Sequence, residues 1–290
     1  MNNRHQSDYR HRVVRRCGGP AVTALVSGKG GVGKSVICFN LGTTFASAGQ
    51  ETLLIDCDWH FGDLHILSNV VPNRTLGDVL SGSAPASECT TAIRGHLSLI
   101  AAPSVQNSGV TFDAVRFSEF MAGLRDTLAS YDIILLDTPS GNLDVIKRIF
   151  DAADINLIVV NPEMTSIADS YGLFKYLADD GQHGTAHLLI NRAQNNSDAE
   201  YIHHKLTYLA AKFLGKVPQK AGYLLDDKEI MRSVGLQKAL CELTADSPAL
   251  TGFSALSRCL AQAMPVSRSV AVFDRREQVN FEAFSADIRE

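Results

Sequence analysis

Along most of the chain, short runs of Val, Ile, Leu and Ala alternate with longer stretches whose apolar residues recur every three or four positions. The runs AVTALVS (21–27), ETLLIDC (51–57), LSLIAAP (97–103), YDIILLDT (131–138), INLIVVN (155–161), AHLLINR (186–192) and KAGYLL (220–225) predict strands. They are largely continuous Val/Ile/Leu runs, the pattern of strands covered on both faces. Helical spacing falls at roughly 34–48, 112–129, 143–152, 165–179, 197–213, 228–240 and 247–263. Such alternation predicts an α/β fold: a single doubly wound, mostly parallel β-sheet flanked by helices on both faces, with right-handed crossovers.

Both ends depart from this pattern. Residues 1–19 are polar and rich in Arg and His, and they run into the break signal Gly18-Gly19-Pro20. The expected organisation is a basic, flexible N-terminal segment (1–19), one α/β domain (20–263) and a polar C-terminal tail (264–290). In the tail only Phe281, Phe284 and Ile288 have loose helical spacing.

Composition narrows the class without naming a function. The 290 residues are 45% hydrophobic and 20% charged, as in an ordinary soluble globular protein. A net charge of -4 gives no general case for binding nucleic acid. The basic residues Arg4, Arg10, Arg12, Arg15 and Arg16 cluster at the start against Asp8 alone, so the remainder is acidic. Six cysteines are scattered with no CxxC pair, which argues against zinc or iron–sulfur ligation and for free thiols in a reducing cytosol. No apolar run approaches the ~20 residues of a membrane span, and no apolar region follows the basic start as it would in a secretory signal.

The stretch Gly28-Lys29-Gly30-Gly31-Val32-Gly33-Lys34-Ser35 fits G-x-x-x-x-G-K-[ST] without mismatch, between an expected strand and an expected helix. Its glycines let successive backbone N–H groups converge on phosphate oxygens at a helix N-terminus. Lys34 is expected to bridge the β- and γ-phosphates, and the Ser35 hydroxyl to ligate Mg²⁺. A magnesium–phosphate site also needs carboxylates at neighbouring strand ends. Asp137 closes the apolar run Ile133–Leu136, and Asp56 and Asp58 close LLIDCD, so all three are expected at the carboxyl edge of the sheet with the phosphate loop.

On these residues the chain resembles the MinD/ParA family of P-loop ATPases, whose deviant Walker A motif carries an early lysine, here Lys29. The likeness spans roughly residues 21–262. DCD (56–58) is similar to the family's D-x-D switch I, and DTPSG (137–141) to its switch II. NPEMTSIADSYGLFKYL (161–177) and the later GYLLDDKEIMRSVGLQKALCELTADSPA resemble the FlhG branch (also called FleN), regulators of flagellar placement and number. Ile190-Asn191-Arg192 resembles the V-N-R that carries an adenine-reading asparagine, whose amide can both donate to and accept from the base edge. The chain departs from the family after Asp58, where Trp59-His60-Phe61-Gly62-Asp63 stands in place of the usual [LI]-G-L-x-N. That FGD is similar to pilus-localisation relatives of the CpaE type. Leu225 stands where a proline is usual.

The resemblance implies ATP/ADP and Mg²⁺ as cofactors and a slow ATPase that works as a dimer with itself. Nucleotide contacts are expected from Gly28, Gly30, Gly31, Val32, Gly33, Lys34, Ser35, Val36, Glu163, Asn191 and Arg192. Lys29, Lys34 and Asp58 are expected to act in catalysis, with Ser35, Asp56 and Asp137 at the metal. Lys34 already fills the β/γ position, so a second ammonium points out of the loop; the resemblance implies that Lys29 reaches the partner's phosphates across a nucleotide-sandwich dimer. Hydrolysis would then loosen the dimer. The implied role is control of the placement or number of a polar or cell-surface assembly, with flagella first, and the implied partner is a flagellar signal-recognition-particle-like GTPase or a basal-body component. A pilus- or chromosome-partition ATPase and a nucleotide-locked scaffold with little turnover remain as alternatives. An iron–sulfur carrier is disfavoured by the missing CxxC. The expected location is the cytoplasm, with attachment to the inner membrane or cell pole left open. The terminal FEAFSADIRE has an acidic polar face, whereas a membrane-surface helix needs Lys or Arg there. The basic N-terminus is either a solvated tail or a partner-binding segment.

Overall fold

The computed structural model describes residues 19–103, 113–178 and 185–264. The N-terminal arginines and the FEAFSADIRE stretch lie outside the described residues. Eight strands form one sheet: β1 (Ala21–Val26), β2 (Thr52–Asp56), β3 (Thr91–Arg94), β4 (Leu97–Ile100), β5 (Ile133–Asp137), β6 (Ile155–Val160), β7 (Thr185–Ala193) and β8 (Gln219–Leu225). Their order is β3-β4-β2-β5-β1-β6-β7-β8, and every pairing is parallel except β3 with β4. The helices are α1 (Lys34–Ser47), α2 (Leu64–Leu67), α3 (Leu76–Ser81), α4 (Ala114–Thr127), α5 (Leu143–Ala152), α6 (Met164–Ala178), α7 (Asn196–Leu214), α8 (Lys228–Leu236), α9 (Leu240–Leu243) and α10 (Pro248–Ala263).

The continuous apolar runs become central strands because successive side chains point to opposite faces. Ile134 and Leu136 of β5 enter a core with α3 to α7, whereas Ile133 and Leu135 enter a second core with α1, α2, α9 and α10. Polar capping residues start the helices where the apolar spacing begins. Asp113, Asn142, Asn195, Asp227 and Ser247 each accept a backbone N–H at the N-terminus of α4, α5, α7, α8 and α10.

The expected fold class is the observed one, with an added edge. β3 was not among the expected strands. It is short, half-exposed and antiparallel, and Gly95 turns it into β4 at φ 41°. Arg94 holds this edge by pairing with Glu242 and lying 5.7 Å over the Phe39 ring. The helix expected to run over 228–240 breaks at Gln237, which adopts a left-handed conformation (φ 53°), and α9 follows. Helices α2 and α3, also outside the expected elements, fill the long connection between β2 and β3. Among the described residues no helix is long and apolar enough to cross a membrane.

One buried polar residue links the two ends of the second core. Asn40 on α1 donates to the Val36 carbonyl (2.9 Å) and accepts the Leu240 N–H of α9 (2.8 Å). Asn40→Ala leaves that buried N–H without a partner, so urea denaturation should show a loss of about 1–3 kcal/mol. An unchanged midpoint would show that water replaces the side chain.

Candidate functional site

The chain winds outward from β1 through β2 to β4, returns to β5 between β2 and β1, and then continues outward from β6 on the other side. In open α/β sheets, ligands bind where this direction reverses, beyond the carboxyl ends of the strands. The phosphate loop follows β1 at that place, and α1 begins at Lys34. Gly31 and Gly33 have φ of 75° and 98°, a region that side-chain-bearing residues avoid. Gly28 is required for a different reason: a Cβ there would lie 2.2 Å from the Asp169 carbonyl oxygen, so the backbone of α6 lies directly against the loop.

Lys34 is buried, and its ammonium sits 3.0 Å from the Ser27 hydroxyl. Burial lowers its pKa, against the opposing attraction of Asp137, Asp58 and Asp63. Asp56 and Asp137 are register partners at the ends of β2 and β5 and are both inaccessible to solvent. Desolvation pushes the Asp137 carboxyl up from 3.8 to about 7, with Lys34 pulling it back, and raises Asp56 well above the usual carboxylate range. The Ser35 hydroxyl offsets part of this rise at Asp137, whose Oδ1 is buried without a hydrogen-bond partner. Asp58 is less buried, and its Oδ1 accepts from the N–H groups of His60 (3.3 Å) and Phe61 (3.1 Å). Its own N–H donates to Asp56 Oδ1 (3.1 Å).

Two expected groups have additional jobs. The Asn191 amide donates to the Val32 carbonyl at 2.7 Å, bracing the phosphate loop from β7. One donor hydrogen and the amide oxygen are left to read a base. Asn191 and Arg192, with Gly33, Val36, Leu225 and Phe253, line a cavity of about 220 Å³, room for a nucleobase. Arg192 is held there at φ 56°, a conformation that costs on the order of 1 kcal/mol or more. A larger hollow of about 420 Å³, lined by Leu80, Pro85, Arg116 and Phe120, contains none of the expected site residues. Lys29 leaves the loop altogether: its ammonium lies 3.0 Å from Glu163 and 3.1 Å from the Thr165 hydroxyl. Glu163, expected at the nucleotide, therefore holds Lys29 of its own chain.

A profile of the CobQ/CobB/MinD/ParA nucleotide-binding domain matches residues 23–229. The chain belongs to this family. It is 29% identical over 237 residues to the antiactivator FleN of Pseudomonas aeruginosa, covering 82% of this chain and 85% of FleN. Its fold matches the cell-division ATPase MinD of Pyrococcus furiosus with a TM-score of 0.71 at 22% identity, over 83% of this chain and 98% of that one. MinD of Pyrococcus horikoshii, solved as a complex with Mg-ADP, gives 0.70 at 21% identity, over 83% and 96%.

A MinD/ParA-type loop takes its metal together with phosphates, and Mg²⁺ needs only one or two carboxylates besides. Among the described residues no group of three or more His, Cys, Asp or Glu could hold a metal ion without such help. The Ser35 hydroxyl, the unpartnered Asp137 Oδ1 and the adjacent Asp56 fit a shared metal–phosphate site of this kind. Two residues joined to the site were not among the expected ones. Ser140 of the second switch lies against the loop, 3.1 Å from where a Gly30 Cβ would be. Asp63 acts electrostatically on Lys34, and burial raises its own carboxyl above the ordinary value. The departure from family pattern after Asp58 was the available signal for Asp63.

The Asp137 shift sets a pH dependence for the nucleotide- and metal-free protein. Its folded pKa, about 7, lies above the unfolded value of 3.8, so the folded state keeps a proton that the unfolded chain releases. Stability therefore falls as pH rises from about 4 to about 7. Asp137→Asn removes the penalty: calorimetry should show a melting temperature several degrees higher at pH 8 and little changed near pH 4. Equal shifts at both pH values would contradict burial as the cause.

Proposed function

We propose that this chain is an ATP-dependent molecular switch: it dimerises face to face around ATP, hydrolyses it slowly, and presents the dimer surface to a partner. The observation that carries this reading is the division of labour between two lysines. Lys34 alone occupies the cradle of its own loop, while Lys29 is turned outward onto Glu163. That ion pair is exposed on both sides, and such pairs contribute only ~0–1 kcal/mol. Lys29 is thus oriented away from its own nucleotide and can be released at small cost to phosphates presented by a second chain. Large apolar side chains adjoin the same segments: Phe61 after Asp58, Leu143 after the second switch and Met164 next to Glu163 are all exposed. An exposed apolar rim of this kind supports association through the phosphate-loop face.

In the proposed mechanism the backbone of Gly28 to Val36 and Lys34 bind the ATP phosphates, and Asn191 and Arg192 hold the base. Bound Mg²⁺, held by Ser35 with Asp137 and Asp56 behind it, would neutralise charge on the phosphates. Asp58 orients the attacking water, and the partner's Lys29 stabilises charge developing on the transferred phosphoryl group, an arrangement worth on the order of 10³-fold or more in related systems. Loss of the γ-phosphate releases the second switch: the Thr138 hydroxyl, anchored 2.7 Å from the Leu25 carbonyl, fixes one end and leaves Ser140 and Gly141 to move. The proposed regulated process is flagellar placement or number, with a flagellar signal-recognition-particle-like GTPase or basal-body component as partner; the resemblance to FlhG sequences and the 29% identity to the antiactivator FleN support the choice of process. The basic residues 1–18 are the proposed segment for contact with that partner.

Lys29→Ala should bind a nucleotide within about threefold of wild type yet lose turnover by two orders of magnitude or more, about the effect expected of a charge acting in trans. Asp58→Ala with ATP should elute as a dimer in size exclusion with light scattering, and as a monomer with ADP. A monomer in ATP at tens of micromolar would sink the sandwich reading. Normal hydrolysis by Lys29→Ala would reduce that lysine to a surface charge.

A further inference from the structure

Helix α7 turns Ala199, Ile202, Leu206 and Ala210 into the first core. Its opposite face is not that of an ordinary solvated helix. Tyr201, Lys205, Tyr208 and Lys212 follow one another at steps of three or four residues, so they form one stripe along the helix. Both tyrosines and the neighbouring Phe213 are at least 60% exposed, and Val217 just beyond the helix is exposed as well. The Lys205 ammonium lies 5.8 Å from the centre of the Tyr201 ring; that of Lys212 lies 5.7 Å from Tyr208 and 5.2 Å from Phe213. Lys205 also reaches Met164 Sδ at 3.6 Å, but among the described residues neither ammonium pairs with a carboxylate. The acids of α7 are engaged elsewhere: Asp198 accepts the Gln194 N–H (3.2 Å), and Glu200 pairs with Lys220. Exposed rings interleaved with cations that lack anionic partners mark a face built to be covered.

The chain itself contains a segment of complementary character. In FEAFSADIRE (281–290), Phe281, Phe284 and Ile288 recur at the spacing of one helix face, and Glu282, Asp287 and Glu290 stand against Arg289 alone. The topology brings the start of the tail close to α7. Strand β8 is the edge of the sheet; α10 belongs to the core on one side of it and α7 to the core on the other. Helix α7 ends at Leu214 and β8 begins at Gln219. The Cys259 thiol, near the end of α10, donates to the Lys220 carbonyl at 3.7 Å. Both helices therefore finish beside the first residues of the same edge strand. The described residues run to Met264, and residues 265–280 can span up to about 50 Å when extended. The path round one strand, between layers packed ~10 Å apart, is well within that reach.

We propose that the tyrosine–lysine face of α7 is the docking site for the chain's own segment 281–290. Phe281, Phe284 and Ile288 cover Tyr201, Tyr208 and Phe213, while Glu282 and Asp287 meet Lys205 and Lys212. Each contact is weak by itself, since exposed ion pairs contribute little. The tether supplies the rest: a linked segment is present at an effective concentration in the millimolar range. The face is then open to another molecule only when the tail has left it. This docking needs neither nucleotide nor a second copy, so it stands apart from the switch proposed above.

The test is photocrosslinking of the full chain carrying Phe284→p-benzoylphenylalanine, with the products mapped by mass spectrometry. The crosslinks should be intramolecular and fall within residues 201–213. Lys205→Glu with Lys212→Glu should lower their yield about fivefold, the size expected of two exposed pairs turned to repulsion. Adding Glu282→Lys and Asp287→Lys to that variant should restore the yield to within about twofold of the starting protein, because the pairs are re-formed with their signs exchanged. Circular dichroism checks the fold of each variant. Crosslinks that map away from α7, or a yield indifferent to both sets of charge reversals, overturn the proposal. So do crosslinks between chains, which would make a second copy the occupant. If the tail does not crosslink to α7 and the wild-type chain sediments with phosphatidylserine vesicles in a manner that depends on Lys205 and Lys212, the face serves a membrane and the proposal is likewise overturned.

Discussion

The structure of the site depends on one unfavourable placement: two carboxylates, Asp56 and Asp137, buried side by side at the ends of adjacent parallel strands. Parallel pairing of apolar strands puts their carboxyl ends at one edge, and any acid closing those strands is carried out of water. Such a pair persists only where something opposes it. Lys34 does so partly, and backbone N–H groups of Asp58 and Leu64 do so for Asp56. The remaining deficit is what a metal-bearing phosphate would relieve. The unliganded site is therefore high in energy by construction, and ligand binding is coupled to its relaxation.

Much of this was legible in the residues. The strands of the core are continuous Val/Ile/Leu runs whose burial follows from hydropathy alone, and the phosphate loop is a match of eight positions in the right context. What escaped were elements held by tertiary contacts. β3 has only four residues and an ambiguous pattern; it exists as an edge because Arg94 is captured by Glu242, nearly 150 residues away. The break falls on Gln237 itself, a residue with no special left-handed preference, and Gly235 two positions earlier is only a weak signal of it. In the site, the types of residue were readable but their second partners were not. Nothing in the sequence pairs Asn191 with the Val32 carbonyl or Lys29 with Glu163, since these contacts join strands and helices that meet only in the folded chain.

The two lysines of the loop differ in the energy needed to move them. Lys34 is buried among carboxylates, where separation of charges is costly. Lys29 is held by an exposed pair and a hydroxyl, in high dielectric, where rearrangement is nearly free. A loop with one fixed and one movable cation is suited to a state change, because only the second must relocate when a new surface arrives.

The bond from Asn191 to Val32 has a consequence of its own. It connects the wall of the base cavity to the crest of the phosphate loop through a single amide. In the nucleotide complex proposed above, whatever rotates that amide to meet a base would also tug on a carbonyl whose neighbouring N–H groups would face phosphate. The two halves of one nucleotide are then felt by the same side chain. Their binding free energies do not add, and a fragment carrying only base or only phosphate meets a differently shaped loop from the one the whole molecule meets.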